Sequence, residues 1–93
     1  FQYEVAVIVH DGLRRMYVNH EDVFYYITLM NENYTHPDMP EGVEQDILKG
    51  MYLLKAGGKG DKKVQLMGSG TILQEVIAGA ELLKADFGVE ADI

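Results

Sequence analysis

The chain has no cysteine. That removes disulfides, thiolate nucleophiles and cysteine-based zinc sites, and it accords with a reducing compartment. Basic residues are scarce: eight Lys and Arg stand against fifteen Asp and Glu, a formal net charge of −7. This balance repels polyanions, so neither nucleic acid nor an anionic membrane is an expected partner, and the surplus reads as a solvated acidic surface. No apolar run approaches the ~20 residues that cross a bilayer, and no signal-peptide pattern is visible. The expected location is cytoplasmic. Proline occurs only at Pro37 and Pro40, and neither can donate to a sheet ladder, so the chain must leave any sheet there.

What is present is an ordinary globular composition, 47% hydrophobic over 93 residues. The sequence opens on Phe1 within an apolar run and closes on Val89–Ile93, where a strand is expected to begin. Both ends read as cuts in a larger chain. The piece alone is therefore expected to be marginal or aggregation-prone, with sheet edges exposed.

In Tyr3–Tyr17, β-branched Val5, Val7, Ile8 and Val9 could form a buried strand. Helical spacing of Val5, Ile8, Val9, Leu13, Met16 and Tyr17, with Arg14 and Arg15 near the C-terminal end, instead predicts a helix. Gly12 is a weakness in it of about 1 kcal/mol relative to Ala. Val23–Met30, VFYYITLM, reads as a strand covered on both faces. Glu41–Lys49 predicts a short helix ended by Gly50. Met51–Ala56 and Lys63–Met67 read as strands joined through the flexible turn Gly57–Asp61, so a hairpin is expected. Thr71–Phe87 is the most strongly patterned helix, with Ile72, Leu73, Val76, Ile77, Ala80, Leu83 and Phe87 in one stripe. Thr71 with Gln74 has the form of a capping box, and Gly88 suits the residue after the helix. Val89–Ile93 begins another strand, completing a strand–helix–strand unit.

Several patterns invite a chemical reading. Gly68-Ser69-Gly70 after a strand resembles a dinucleotide loop, with Asp92 at a plausible distance for the ribose. Leu73, however, stands where the third glycine belongs, and a tight structural turn is the preferred reading. The glycines at 57–60 could cradle phosphate, although an ordinary loop explains them. His10 falls in the first helix and reads as structural, and His20 falls in a polar loop. No histidine pair has metal-site spacing. The acids Glu41, Glu44 and Asp46 lack a calcium-loop form and suit a helix N-terminus. His36 lies with Tyr34 and Glu32 beyond the carboxyl end of the 23–30 strand, where open α/β sheets bind ligands. Imidazole, phenol and carboxylate there could share a proton or orient a small acid, although an ordinary polar corner explains them as well.

The string Asn31-Glu32-Asn33-Tyr34, then Pro37, Met39-Pro40-Glu41-Gly42, Ile47, Lys49-Gly50 and Tyr52, resembles the homodimeric, bacterial-type pyruvate dehydrogenases. These are the thiamine-diphosphate-dependent first components of the pyruvate dehydrogenase complex. Tyr3–Ile8, His10–Tyr17 and Lys63–Leu73 match as well, so the resemblance covers essentially the whole chain. It implies an α/β, transketolase-like fragment: helix and strand, a linker, then a β-hairpin and the start of a βαβ unit. Residues 1–36 would end the pyrimidine-binding domain, 37–50 would form a linker with a short helix, and 51–93 would start the transketolase-type C-terminal domain. The implied reaction is decarboxylation of pyruvate on thiamine diphosphate, held through magnesium, with acetyl transfer to the lipoyl group of a dihydrolipoyl acetyltransferase. The resemblance also implies a homodimer, and it places the cofactor and metal motifs upstream of Phe1, so this stretch alone would bind neither and would be inactive. It points to His36, Tyr34 and Glu32 as catalytic candidates and to Asn31 and Asn33 as pocket residues. The family's functional histidine directly follows the tyrosine matching Tyr34; here Thr35 takes that place and His36 comes one later. Two alternatives stand beside this reading. One is a different transketolase-like thiamine enzyme, disfavoured because Asn31-Glu32 occupies the place of a phosphate-binding basic residue. The other is a small α/β nucleotide-binding module using Gly68-Ser69-Gly70.

Overall fold

Helix α1, Gln2–Leu13, continues without a break into a π-helical turn, Arg14–Val18. The computed structural model describes every residue from Phe1 to Ile93 and separates the chain into two units, Phe1–Tyr52 and Leu53–Ile93. The helical spacing of the first segment therefore prevails over its β-branched content. The widened last turn is marked by the bond from the Asn19 amide to the Arg14 carbonyl, 3.0 Å long.

Within the first unit, α1 buries Gly12 rather than a large side chain. The ring of Tyr25 lies over it, so close that a Cβ there would stand 3.1 Å from a ring carbon. Arg15 fixes the ring from the side: its Nη1 donates to the Tyr25 hydroxyl at 2.9 Å and its Nε to Glu21 Oε2 at 2.7 Å. Helix α2, Glu44–Lys49, packs against α1 and buries Ile47. It ends as expected at Gly50, which takes a left-handed conformation and donates to the Asp46 and Ile47 carbonyls. It starts three residues later than the sequence pattern predicts, because Glu41-Gly42 form a turn with Gly42 at φ 76°. His10 lies in α1 but on its exposed side, with no side-chain partner, so it has no packing role in this unit.

Val23–Met30 is not a strand. Residues 24–42 make no backbone–backbone hydrogen bond, and Phe24 and Tyr26 are 88% and 86% exposed. Strand propensity describes a fit to a pleated, half-buried surface, and these residues have no neighbouring strand to supply one. The expected strand does not form because no segment of this unit offers it a ladder.

The second unit is a parallel βαβ arrangement. Strand β1, Lys63–Gln65, pairs with β2, Glu90–Asp92, in the register Lys63↔Glu90, Val64↔Ala91 and Gln65↔Asp92. Helix α3, Ile72–Phe87, connects them and packs on β2. Leu73 and Ala80 on α3 and Ala91 and Ile93 on β2 or beside it are buried, while Ile72 and Phe87 at the ends of the predicted stripe remain exposed. Gly88 closes α3 in a left-handed conformation, as the sequence suggests. Thr71 makes no side-chain cap bond, so the capping box is not formed.

The expected hairpin is also absent. Residues Leu54 and Lys55 are bonded to Ile93 rather than to Lys63–Met67, and Lys55 and Ile93 exchange both backbone bonds, Ile93 N–H to Lys55 at 2.9 Å and Lys55 N–H to Ile93 at 3.2 Å. That exchange is the pattern of an antiparallel pair. The β2 segment thus lies between the two stretches that the sequence suggested would pair directly. A local turn signal favoured the short connection, and the apolar face of α3 favoured the long one.

Candidate functional site

The polar corner of the first unit is held by the start of α1. The Gln2 amide, one of the N–H groups that a helix leaves without an internal partner, donates to His36 Nδ1 at 3.1 Å. This makes Nδ1 an acceptor, which places the proton of the neutral ring on Nε2. The Tyr34 ring stacks on the imidazole, with centroids 4.6 Å apart and 23° between planes. The Phe1 ring meets both edge-on, at 5.9 Å from His36 and 6.4 Å from Tyr34. The imidazole therefore has one nitrogen committed to the backbone, one face covered, and Nε2–H left as its donor.

Of the five residues singled out in this stretch, the structure brings together Tyr34 and His36. Glu32, Asn31 and Asn33 are exposed and make no side-chain hydrogen bond with the rest of the unit, and Thr35 is exposed as well. Their placement follows from the extended backbone, in which successive side chains alternate direction: positions 34 and 36 share the side facing α1.

A second polar cluster was not anticipated. The hydroxyls of Tyr3 and Tyr52 lie 2.6 Å apart, and Tyr52 donates to Glu4 Oε1 at 2.8 Å. Because the single Tyr52 proton goes to the carboxylate, Tyr3 is the donor in the first contact, and the bonds run in one direction from Tyr3 to Tyr52 to Glu4. The rings meet edge-on at 6.4 Å. Burial pushes the Tyr52 hydroxyl well above the ordinary phenol range, and its bond to the Glu4 carboxylate reinforces that direction. Burial also raises Tyr3. The only sequence signal for this cluster was Tyr52 following the helix-ending Gly50. A separation of 48 residues between Glu4 and Tyr52 left nothing local to find.

In the second unit the glycine-rich segments are occupied by internal contacts. The Gly57 amide donates to Asp92 Oδ1 at 2.7 Å and the Gly58 amide to Glu90 Oε2 at 3.0 Å. The donors that a phosphate would need are thus engaged by carboxylates, and the segment is a clasp over β2 rather than a free turn. Asp92, the candidate ribose ligand, is spent on the same clasp. At Gly68 a Cβ would come 2.8 Å from Val76 Cγ2, so that glycine admits α3 closely and serves packing. No group of three or more His, Asp or Glu side chains is placed to hold a metal ion. No helix is long and apolar enough to cross a membrane.

An extended segment gripped by a helix start and, in the second unit, a parallel βαβ arrangement whose glycines serve packing define a small α/β fragment. The family model for the pyruvate dehydrogenase E1 component middle domain matches residues 1–37. Beyond that range the likeness continues to the end of the chain. The pyruvate dehydrogenase E1 component of Cupriavidus necator is 63% identical over 95 residues, that of Escherichia coli K12 is 56% identical over 96, and that of Pseudomonas aeruginosa is 54% identical over 98. In each case the whole of this chain is aligned, against 11% of the relative's length. Over its whole length the chain is therefore similar to a stretch of the pyruvate dehydrogenase E1 component.

Proposed function

We propose that this chain is a stretch of an enzyme that oxidatively decarboxylates pyruvate on thiamine diphosphate and passes the acetyl unit to a lipoyl group. The observation that carries the reading is the 63% identity to a pyruvate dehydrogenase E1 component across all 93 residues. The chain spans about a ninth of the curated relatives it matches, 11% of their length. On this reading the unit Phe1–Tyr52 carries the end of the pyrimidine-binding domain and the linker, and the parallel βαβ unit starts the transketolase-type C-terminal domain. Thiamine diphosphate would supply the carbanion chemistry. The magnesium and cofactor ligands would come from other parts of that enzyme, and no step of cofactor binding is assigned to the residues present here.

The role open to this stretch is contact with the reacting acid. His36 presents Nε2–H as a donor suited to a carboxylate or carbonyl oxygen, and stacking on Tyr34 fixes the plane of its ring. Asn31, Glu32 and Asn33 project from the same corner and are free to line a pocket built with other parts of a dimeric enzyme. The lipoyl group would arrive on the acetyltransferase component, and the enzyme would work in the cytoplasm. A different transketolase-like thiamine enzyme is the second reading, but the absence of a basic residue at Asn31-Glu32 gives it no phosphate contact.

The test is steady-state turnover of the complete enzyme carrying this sequence. His36→Ala should lower kcat/KM for pyruvate roughly tenfold to a hundredfold. Unchanged kinetics would remove His36 from the site. The isolated 93-residue chain should show no decarboxylation with added cofactor and magnesium.

A further inference from the structure

The first turn of α1 holds two places in the chain that lie sixteen residues apart, His36 and Tyr52. It holds the first through the Gln2 amide, 3.1 Å from Nδ1, and through the Phe1 ring at 5.9 Å. It holds the second through Glu4, 2.8 Å from the Tyr52 hydroxyl, and through the Tyr3 hydroxyl at 2.6 Å. The two attachments are mechanically joined, because the Phe1 and Tyr3 rings contact each other at 5.6 Å. Between the attachments the chain runs through Pro37, Pro40 and α2. Residues 37–42 within that span have no backbone–backbone hydrogen bonds of their own. The geometry of the corner is therefore set from α1, not from the segment that contains it.

The Tyr52 hydroxyl is the connecting atom of the second attachment. It accepts from Tyr3 and donates to Glu4, so both α1 side chains are aligned by one oxygen. A polar relay of this kind, part-buried and directed onto a carboxylate, is more than packing requires; a phenylalanine would fill the same space. We propose that Tyr52 and Glu4 are positioning residues for His36, acting through the first turn of α1 to hold Nδ1 on the Gln2 amide and so keep the proton on Nε2. The proposal rests on the reading of the Tyr34–His36 corner as part of the site. Neither Tyr52 nor Glu4 touches that corner directly. Tyr3 passes the constraint along, through its hydroxyl on one side and its ring on the other.

The experiment uses the complete enzyme with Tyr52→Phe, Glu4→Gln, His36→Ala and the double variant Tyr52→Phe/His36→Ala. Tyr52→Phe keeps the ring and removes the relay. It should lower kcat/KM about threefold to tenfold, the loss expected when one aligned hydrogen bond is removed. In the His36→Ala background the same change should have no further effect, since a residue that acts through His36 cannot act once His36 is gone. Additive losses, or a silent Tyr52→Phe beside a damaging His36→Ala, would overturn the positioning role and leave the site reading standing. A silent His36→Ala would instead remove the site reading. A second measurement does not depend on catalysis. In histidine-labelled enzyme, the imidazole nitrogen resonances lost in His36→Ala report its tautomer, and Tyr52→Phe and Glu4→Gln should move them from a single Nε2–H form toward a mixture. Resonances that stay put in both variants would overturn the positioning role whatever the kinetics show.

Discussion

Tyr25 covers Gly12 so closely that any side chain at that position must displace the ring. A built Cβ meets three ring carbons at 3.1, 3.2 and 3.3 Å. The glycine is therefore not a mere weakness of α1: it is the seat of the residue that anchors the following extended segment. Two effects of Gly12→Ala oppose each other. Helix propensity favours Ala by about 1 kcal/mol, while the ring must shift by a few tenths of an ångström against the Arg15 bond to its hydroxyl. We expect the melting temperature of Gly12→Ala not to rise as propensity alone demands. Gly12→Val should lower it clearly, because a branched side chain cannot fit beneath the ring. A Gly12→Val variant as stable as the parent would show that Tyr25 is not seated there.

The segment beyond Tyr25 supports a second expectation. Phe24, Tyr26, Leu29 and Met30 are all exposed on backbone without ladder bonds. Strand-forming side chains on an unpaired stretch are a template for pairing with another chain. In the 93-residue chain, sedimentation should reveal self-association that falls when Phe24 and Tyr26 are replaced by Ser. The same replacements in the complete enzyme should instead lower stability if this stretch is enclosed there. Equal behaviour of the parent and the double variant in sedimentation would count against an adhesive role for these rings.

How far the sequence could be read depended on the range of the interactions. The helices, and the glycine ends of two of them, were legible because spacing and termination are local: Val5, Ile8 and Met16 repeat along one face, and Gly50 and Gly88 end α2 and α3 in left-handed conformations. Strand composition was a poorer guide: of the four stretches expected as strands, those at Lys63–Met67 and Val89–Ile93 form short ones, while Val23–Met30 and Met51–Ala56 do not. Nothing near Lys55 says that Ile93, and not Val64, will be its partner; that choice is made by burying Leu73 and Ala80 of α3 against the sheet. Tyr34 and His36 were singled out as lying beyond the end of a strand that does not form and through the family resemblance, whereas the Tyr3–Tyr52–Glu4 relay joins distant residues of unremarkable local pattern. The resemblance of Asn31–Gly42 to pyruvate dehydrogenases pointed to the family, while which side chains of that stretch face α1 is decided by the fold.

Tyr3 and Tyr52 also make a prediction about alkaline stability. Burial raises both hydroxyls in the folded chain, Tyr52 the more strongly. For an acid whose folded pKa is raised, the unfolded chain loses its proton first, so the neutral form's contribution is complete below about pH 10 and declines above it. The denaturant midpoint should therefore fall as pH rises beyond about 10, and Tyr52→Phe should flatten that limb while costing some stability at neutral pH. An alkaline limb identical in parent and variant would mean that Tyr52 is not held as described.

At the acidic end the corresponding group is Glu90. The Gly58 amide, and then Lys84 at 3.1 Å, hold its carboxyl below the usual carboxylate range. A depressed folded pKa means that the stabilisation is present above about pH 4.5 and is lost as pH falls through the folded value. Glu90→Gln keeps an acceptor for the Gly58 amide but cannot titrate, so it should flatten the acid limb of the stability curve without abolishing the fold. The clasp can also be broken from its other side. A Cβ at Gly57 would lie 2.9 Å from the Ala91 carbonyl carbon and oxygen, which are backbone atoms of β2 and cannot rotate away. Gly57→Ala should accordingly destabilise the second unit by about 1–3 kcal/mol at every pH, a constant offset where Glu90→Gln gives a change of slope. Measured by denaturant unfolding between about pH 3 and 7, the two variants separate the carboxylate's charge from the close approach of the backbone. If Gly57→Ala changed only the acid limb, the turn would be held by charge alone, and the close contact with β2 would have no part in its stability.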